Sequence, residues 1–334
     1  MKQISFPKHL KKTVSLESVE SLLGELFYQT YTIQLSSGIT NKLIKATSLA
    51  EPKVVLIRLY GNKTELMIDR QKEIEYLCYL HECGEAPPIY YTFDNGLMYG
   101  YQEGFPLISF AEQDTESLAS SADGINGSMP DLPLHVMKLV IQKMARFHSL
   151  ETIEKTTQFD KTMRKWLGEL NQSFRICDLN LHEELIFLNS ILPKDAVNSH
   201  NDLLLGNIIL EPQGTSYVVH FIDFEYAFAN CRAFDMANFL NELCGFECIW
   251  SKIPKKEVIM ELIVTYLTEA NLKTDPNEFY AEIKVCFLAS HYLWGLWAII
   301  QSDVSELDFD YKEYSEKRLS RYRELKDEYL QNSK

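Results

Sequence analysis

The stretch from residue 200 to residue 225 constrains the fold of this chain more than any other. Two short runs rich in apolar and β-branched residues, at 207–210 and 217–222, flank a turn sequence containing proline and glycine at 211–214. Runs of this kind around such a turn predict a β-hairpin. A hairpin brings its two ends together, so polar side chains at those ends are expected to meet.

Three oxygen-bearing side chains stand at these ends: Asp202 ahead of the first strand, Asn207 at its start and Asp223 just after the second. Magnesium prefers oxygen ligands and keeps few from protein, often an Asp and an Asn beside nucleotide phosphates. Asn207 and Asp223 are therefore candidate Mg²⁺ ligands, and Asp202 is left to accept a proton from a hydroxyl group. Kinases divide phosphoryl transfer among three such residues in this way.

The alternative is a structural hairpin whose polar groups cap the strand ends. A lone His-x-Asp or Asp-Phe pair would favour that interpretation. The sequence has the longer pattern His-x-Asp-x4-Asn from His200 to Asn207, followed by Ile-Asp-Phe-Glu ending at Glu225. This combination is much more specific and favours phosphoryl transfer.

Length and charge limit the class of protein. The 334 residues, 46% of them hydrophobic, can bury a large core, and the length suggests two lobes. A formal net charge of -14 argues against a nucleic-acid partner and is compatible with a cationic small-molecule substrate. We find no signal-peptide pattern at the start, and the most apolar run, at 287–300, is too short to span a bilayer. We therefore expect a soluble, cytoplasmic protein. The sequence does not determine the oligomeric state, and a homodimer is one possibility.

The first third of the chain is rich in strand signals. Strands are predicted at 31–35, 43–46, 54–60, 89–93 and 97–101, and helices at 15–30 and 65–83. The segment between the first two strands fits a loop that covers nucleotide phosphates and fits an ordinary hairpin equally well. Its candidate nucleotide-binding residues are Gly38, Thr40, Asn41 and Lys42.

One arginine, Arg58, interrupts the buried strand predicted at 54–60. A charge inside such a run needs a partner, and a nucleotide phosphate can be one. The alternative is a solvent-facing arginine on an edge strand. Kinases pair a basic strand residue with a glutamate of the next helix, and Glu73 fits that order, although it could equally be an exposed helical glutamate. We assign Arg58, Glu73 and Gln102, which lies where the chain crosses between lobes, to the nucleotide.

The rest of the chain is mainly helical. Helices are predicted at 133–149, 160–172, 179–191, 233–245, 255–270, 276–301 and 311–330, and a Ser-, Asp- and Gly-rich stretch at 112–131 is interpreted as a mobile insert. We expect an α+β fold with an N-terminal nucleotide-binding lobe, residues 1–103, and a C-terminal catalytic and substrate-binding lobe, residues 104–334. Antiparallel hairpins and the lack of G-x-G-x-x-G and Walker A patterns argue against a doubly wound nucleotide fold.

Four segments, at 200–207, 222–226, 234–242 and 290–297, resemble the choline/ethanolamine kinases. The likeness extends from about residue 38 to residue 314, excluding the insert. The sequences at 55–66, 95–97 and 241–245 resemble the ethanolamine kinase branch in particular. The resemblance implies a two-lobed, aminoglycoside-phosphotransferase-like kinase that uses ATP and magnesium to phosphorylate an amino alcohol in phospholipid synthesis. It gives Asp202 the role of base and makes Asn207 and Asp223 metal ligands.

The resemblance also implies a pocket for the substrate cation, lined by Tyr226, Glu242, Trp294, Trp297 and Tyr314. Trp294 and Trp297 are three residues apart on a predicted helix and so share a face. Aromatic faces attract ammonium groups by about 0.5–2 kcal/mol, although a tryptophan pair taken alone is more often part of a core. Glu242 would neutralise the cation. The next position is usually aromatic in the family and is Leu243 here, which leaves the pocket size and the preferred substrate open.

We expect an ethanolamine kinase, with a choline kinase or a dual choline/ethanolamine kinase as the nearest alternative. A protein kinase would share the catalytic residues, but the chain has neither an activation segment ending in Ala-Pro-Glu nor the glycine-rich loop. A third hypothesis is an inactive module that binds ATP or quaternary amines. The presence of Asp202, Asn207 and Asp223 argues against it.

Overall fold

The protein divides into two compact units in the computed structural model. The first comprises Met1–Glu103 with Val304–Leu307, and the second comprises Gly104–Asp303 with Asp308–Lys334. The structure describes residues 6–27, 32–37, 41–49, 51–109, 132–152, 154–170, 175–305 and 307–332. The predicted insert at 112–131 therefore lies outside the described residues, as do Gly38 and Thr40.

A six-stranded sheet forms the base of the first unit. Its strands are β1 (Lys8–Leu10), β2 (Thr32–Ser37), β3 (Asn41–Thr47), β4 (Val54–Tyr60), β5 (Ile89–Phe93) and β6 (Gly96–Gly100). They lie in the order β1-β5-β6-β4-β3-β2; β1 pairs with β5 in parallel and the other neighbours pair antiparallel. The Val- and Ile-rich β4 suits an interior position. The alternative that Arg58 lies on an edge strand is therefore wrong.

Two helices of the first unit, α1 (Val19–Phe27) and α2 (Arg70–Glu82), begin later than predicted. Short 3₁₀ turns at Leu16–Ser18 and Thr64–Leu66 precede them. Asp69 caps α2 by accepting a hydrogen bond from the Lys72 amide at 3.2 Å, and such a cap fixes where a helix starts. The core of this unit joins α1 to the sheet and consists of Val14, Val19, Leu22, Leu23, Ile44, Ala46, Val55, Ile57, Leu59, Phe93 and Met98.

The second unit is mainly helical, which together with the sheet confirms the predicted α+β class. Its helices are α3 (Leu134–His148), α4 (Phe159–Leu167), α5 (Leu181–Ile191), α6 (Arg232–Glu242), α7 (Lys256–Glu269), α8 (Pro276–Val304) and α9 (Tyr311–Asn332). Its short strands are β7 (Phe105–Pro106), β8 (Arg175–Ile176), β9 (Leu179–Asn180), β10 (Val197–Ser199), β11 (Ile208–Gln213), β12 (Ser216–Phe221) and β13 (Phe228–Asn230).

The predicted hairpin is formed by β11 and β12, with β7 added on the other side of β11. Its turn is shorter than predicted, because the ladder continues to the pair Gln213–Ser216. Gly214 takes a φ of +62° there, a left-handed conformation that glycine adopts without steric conflict. Asn207 lies one residue ahead of β11, at the end of a 3₁₀ turn, and not within the strand.

The long helix α8 is the core helix of the second unit. It extends well beyond the apolar run at 287–300 and is the one helix in the described part of the chain that is long and apolar enough to cross a membrane. The prediction that this segment is too short to span a bilayer was therefore wrong, because the helix that contains it is long enough. Inside the protein 94% of its apolar window is buried, which is the burial of a core helix.

Candidate active site

Asp202 and Asn207 are in direct contact. The Asn207 side-chain amide donates to Asp202 Oδ2 at 3.0 Å and to the Asp202 carbonyl oxygen at 2.9 Å. Both residues are buried. Because the amide nitrogen is engaged by Asp202, the amide oxygen is the atom through which Asn207 could hold a cation.

Asp223 lies two residues beyond the end of β12, where the end of the hairpin returns to Asn207. The Ile222 amide donates to the Asn207 carbonyl oxygen at 3.0 Å, so the two ends of the hairpin meet. Asp223 itself has φ +62° and ψ +67°. Few residues other than glycine adopt this left-handed conformation, and residues held in it cluster at functional sites.

Carboxylates are concentrated around Asp202. Burial, followed by the charges of Glu242, Asp223 and Glu225, raises the pKa of Asp202 well above its usual range, and the hydrogen bond from Asn207 opposes this shift. A cation would relieve the repulsion among these like charges. The described residues include no group of three His, Cys, Asp or Glu side chains able to hold a metal by themselves. The oxygens of Asn207 and Asp223 fit magnesium with further oxygens from a phosphate ligand.

A buried aspartate on α6, Asp235, holds the loop that carries the candidate catalytic residue Asp202. Its two carboxylate oxygens accept hydrogen bonds from the backbone amides of His200 and Asn201, each at 2.7 Å. His148 Nε2 lies 3.0 Å from the same carboxylate. Charge-assisted bonds of this kind are strong and satisfy buried amides that water cannot reach. Sequence analysis missed this role, although a charged residue within the apolar run 233–237 was a signal for it.

The side chains of His200 and Asn201 fix the loop further. His200 Nε2 lies 2.8 Å from the Ile222 carbonyl oxygen and its Nδ1 accepts from the Asp202 amide at 3.3 Å. Burial lowers the pKa of His200, which favours the neutral ring with its proton on Nε2. Asn201 donates to the carbonyl oxygens of Tyr226 and Phe228, both at 3.1 Å.

Aromatic side chains form one wall of the predicted cation pocket. The rings of Trp294 and Trp297 lie 5.6 Å apart on α8, and the ring of Tyr226 lies 5.4 Å from Trp294. Trp297 Nε1 donates to the Tyr226 hydroxyl at 2.8 Å. Burial, followed by the charge of Glu225, raises the pKa of Tyr226 well above its usual range, so the hydroxyl stays neutral.

Two further aromatic residues, which sequence analysis missed, extend this wall. Trp166 of α4 packs edge-on against Tyr226 with ring centroids 6.1 Å apart, and Tyr311 of α9 packs against Trp297 at 5.7 Å. Tyr314, the predicted pocket residue, is one turn further along the same helix. The structure therefore brings Tyr311 to the tryptophans, while the Tyr314 ring packs on Phe246 and Phe309.

The predicted acidic residue of the pocket, Glu242, already has a cationic partner. Arg318 of α9 donates through Nη1 to Glu242 Oε1 at 2.8 Å and to the Tyr314 hydroxyl at 3.0 Å. Both side chains of the ion pair are buried, with exposures of 1% for Arg318 and 8% for Glu242. Leu243, the departure from the family pattern, is buried at the end of α6. Sequence analysis missed Arg318.

In the first unit, Arg58 of β4 forms a buried ion pair with Glu73 of α2. The alternative that Glu73 is an exposed helical glutamate is wrong, because only 4% of it is exposed. Arg70, which sequence analysis missed, donates to the other Glu73 oxygen at 2.9 Å and to the Asn41 and Thr64 side chains at 3.2 and 2.8 Å. Two guanidinium groups thus share one carboxylate.

The remaining predicted nucleotide residues are less closely joined to this cluster. Lys42 is exposed on β3. Gln102 is partly exposed, and its side chain donates to the Glu103 carbonyl oxygen at 3.3 Å. Gly38 and Thr40 lie outside the described residues.

Comparison with known proteins gives a consistent family. The family model described as choline/ethanolamine kinase matches residues 32–323. Ethanolamine kinase 1 of Homo sapiens is 32% identical over 333 residues, which cover 90% of this chain and 68% of that protein. The ethanolamine kinase of Drosophila melanogaster is 34% identical over 298 residues, which cover 83% of this chain and 55% of that protein, so the match spans about half of the fly protein.

A solved structure supports the same conclusion. The ethanolamine kinase of Plasmodium vivax superposes with a TM-score of 0.74 at 27% identity, covering 91% of this chain and 86% of that one. Fold and site together define a phosphotransferase of the two-lobed kinase type. More particularly, the chain belongs to the choline/ethanolamine kinase family, which confirms the family predicted from its motifs.

Proposed function

We propose that the protein transfers the γ-phosphoryl group of ATP to the hydroxyl group of ethanolamine, giving phosphoethanolamine for phospholipid synthesis. The observation that carries this proposal is that α6 holds the loop of Asp202, the candidate base, through Asp235 and carries Glu242 of the proposed cation pocket at its end. The charge of Glu242 is also the largest of the charge effects that raise the pKa of Asp202. Ethanolamine places its hydroxyl only two carbons from its ammonium group, so base and cation pocket must be adjacent. Similar proteins of human and fly are named ethanolamine kinases.

In this proposal Asp202 orients the substrate hydroxyl and accepts its proton. A base must be ionised to do so, and its pKa is raised by burial and like charges. Binding of the substrate ammonium group offsets part of that shift, because an opposite charge favours the carboxylate. Magnesium, when bound, neutralises negative charge on the transferred phosphoryl group, and Asn207 and Asp223 are the residues proposed to hold it.

Residues 1–103 are proposed to bind the nucleotide, and residues 104–334 to carry catalysis and the substrate pocket. Support for the first role comes from the cluster of Arg58, Arg70 and Glu73, whose formal charges sum to one positive charge in a largely buried setting. Planar guanidinium donors suit phosphate oxygens. Asn41, Lys42 and Gln102, with Gly38 and Thr40, remain proposed nucleotide contacts.

The choice of ethanolamine over choline rests on hydrogen bonding. Ethanolamine offers N–H donors from its ammonium group, whereas choline offers only methyl groups. Glu242 Oε1 is engaged by Arg318, and Oε2 has no hydrogen bond to any described residue, so it can accept from ethanolamine. Choline remains the alternative, because the aromatic wall of Tyr226, Trp294 and Trp297 also suits a quaternary ammonium group.

A cytoplasmic location is part of the proposal. All seven cysteines lie in the described part of the chain and none is bridged, which fits a reducing compartment. Cys231 and Cys286 support this part of the proposal, because their sulfur atoms are 3.5 Å apart without a bond.

Product formation by the purified protein tests the proposed function. With ATP and Mg²⁺, we expect ADP release only when an amino alcohol is present, together with phosphoethanolamine detected by mass spectrometry. Asp202→Asn is the control for contaminating kinases. A protein kinase would instead transfer the phosphoryl group of ATP to a protein substrate such as casein. An inactive binding module would release no ADP, but ATP would still raise its melting temperature. Absence of turnover with every amino alcohol would exclude the proposal.

A further inference from the structure

A chain of hydrogen bonds links the acidic and aromatic walls of the cation pocket. Arg318 Nη1 donates to Glu242 Oε1 at 2.8 Å, and its Nη2 donates to Ser290 Oγ at 3.1 Å and to the Ser290 carbonyl oxygen at 3.3 Å. Ser290 Oγ donates to Asn238 Oδ1 at 2.9 Å. The same Asn238 oxygen accepts from Trp294 Nε1 at 2.7 Å. Arg318 is the member that joins the carboxylate to the rest.

Stability alone does not account for this arginine. Arg318 is 1% exposed, and Ser290 and Asn238 are fully buried. Burying an ion pair removes two charges from water, and apolar residues of similar volume often replace such pairs without loss of stability. A buried ion pair beside a substrate pocket therefore needs a functional explanation. The position of Arg318 against Glu242 suggests one.

Arg318 changes what Glu242 can offer a ligand. It balances the charge of the carboxylate, occupies Oε1, and ties the group to Ser290 through a planar guanidinium whose donor geometry a flexible ammonium cannot reproduce. A balanced and oriented carboxylate attracts a ligand through a directional hydrogen bond to Oε2 more than through net charge. Such an acceptor favours ligands that bear N–H donors over ligands that bear only methyl groups.

We propose that Arg318 is a positioning residue that sets the preference for primary over quaternary ammonium substrates. It fixes Glu242 as a directional acceptor and, through Ser290 and Asn238, holds Trp294 of the aromatic wall. This inference rests on the proposed function, because it takes an amino alcohol as the substrate. Without Arg318, the carboxylate becomes a mobile, fully charged group that attracts methylated and unmethylated ammonium ions alike.

The test is a selectivity series on purified variants. The substrates are ethanolamine, its N-methyl and N,N-dimethyl derivatives, and choline, and kcat and KM are measured for each. The variants are Arg318→Lys, Glu242→Gln, and the double variant Arg318→Met with Glu242→Gln, which leaves no buried charge unpaired. Arg323→Met is the matched control, because Arg323 lies on the same helix with its side chain 46% exposed and paired to Asp178 at the surface.

For Arg318→Lys we expect the ratio of kcat/KM for ethanolamine to kcat/KM for choline to fall by at least about tenfold, mainly through a higher KM for ethanolamine. In this variant, the decrease in kcat/KM should be larger for substrates whose ammonium group carries more N–H donors. The double variant should have the same ratio as Glu242→Gln, within about threefold, because residues that act through one another are not additive. Arg323→Met should keep the wild-type ratio.

Several results would overturn the inference. Equal losses for all four substrates in Arg318→Lys would mean a merely structural role. If that variant does not fold, as judged by its melting temperature, the double variant decides, and a ratio different from that of Glu242→Gln refutes the inference. A wild-type enzyme that prefers choline also refutes it but leaves the kinase activity standing, whereas a wild-type protein without any turnover refutes the proposed function itself.

Discussion

At the level of single residues, Asp202 carries the proposed chemistry in surroundings that oppose its ionisation. Asp202→Asn preserves the size of the side chain but removes the proton acceptor. We expect kcat to fall by about 10²–10⁴-fold, the usual contribution of a positioned base. ATP affinity, measured by calorimetry, should change little. A near-wild-type kcat in this variant would contradict the assigned role.

The two candidate metal ligands differ in charge, and their variants should differ accordingly. Asn207→Ala removes a neutral oxygen and the contact to Asp202, whereas Asp223→Ala removes a charged ligand. We expect both to need more magnesium, with partial rescue of Asn207→Ala by excess Mg²⁺ and a more severe loss in Asp223→Ala. Activity titrations and Mn²⁺ binding followed by paramagnetic resonance measure this. Titrations that superimpose on those of the wild type would show that neither residue holds the metal.

A buried histidine on α8, His291, makes stability depend on pH. It is fully buried, it packs 5.0 Å from the Trp250 ring, and neither ring nitrogen has a hydrogen-bond partner among the described residues. Burial, then the charges of Arg318 and Arg321, lowers the pKa of His291 well below its usual range. The unfolded chain takes up a proton at a pH near 6.5 and the folded protein does not, so stability is lost as pH falls below that value.

Replacing His291 with leucine should remove this dependence. We expect the free energy of unfolding of the wild type to lose up to about 1.4 kcal/mol relative to His291→Leu for each pH unit below 6.5. Above that pH the difference between the two proteins should be constant. Urea unfolding at pH 7.5, 6.5 and 5.5 measures it. A difference that stays constant throughout would mean that His291 takes up its proton in the folded protein at the same pH as in the unfolded chain.

At the level of elements, three helices contribute to the proposed site with side chains spaced by three or four residues. These are Asp235, Asn238 and Glu242 on α6, Ser290, Trp294 and Trp297 on α8, and Tyr311, Tyr314 and Arg318 on α9. Residues spaced by three or four share a helix face. One face of α6 therefore holds the loop of the candidate base, accepts a hydrogen bond from a tryptophan and carries the carboxylate of the proposed pocket.

The close approach of α8 and α9 depends on Gly295. A Cβ atom at this position would lie 2.6 Å from Leu319 Cγ, and Leu319 is fully buried. Alanine normally favours a helix over glycine, but here we expect Gly295→Ala to lower the free energy of unfolding by about 1–3 kcal/mol, as overpacking does. The KM for the amino alcohol should rise more than that for ATP, because Trp294 and Arg318 are the chain neighbours of these two residues.

Chemical denaturation and kinetics of the variant measure both effects. Leu319→Ala makes room for the added methyl group and serves as the control background, in which Gly295→Ala should cost nothing further because the two sites share one contact. A variant as stable as the wild type, with unchanged KM, would mean that α9 moves aside freely.

Local sequence patterns predicted the helices, the strands and the site at the hairpin better than they predicted which distant side chains contact one another. The strand at 54–60 has its predicted bounds, and the predicted hairpin brings its two ends together, with Asn207 bonded to Asp202 and to the backbone just before Asp223. Arg318 and Glu242 are 76 positions apart, and no local pattern says which helix faces which. Cross-helix ion pairs depend on tertiary packing, and only the helical spacing of Arg318 from Tyr314 hinted at its position.

At the level of the whole molecule, the net charge of -14 agrees with the local excess of carboxylates around Asp202. A field of that sign raises the local concentration of cations and speeds their association. Charge therefore recruits ethanolamine and choline alike. In the proposed pocket, discrimination would come from Glu242, which can accept a hydrogen bond from an N–H group of ethanolamine but not from a methyl group of choline.

A competition assay tests this account most directly. Ethanolamine and choline are supplied together at equal, subsaturating concentrations with ATP and Mg²⁺, and the two phosphorylated products are quantified by mass spectrometry at low conversion. Their ratio then equals the ratio of the two kcat/KM values. We expect phosphoethanolamine to exceed phosphocholine by at least about tenfold, in line with what hydrogen-bonded recognition achieves. An excess of phosphocholine would contradict the account, because the aromatic wall would then outweigh the oriented carboxylate of Glu242.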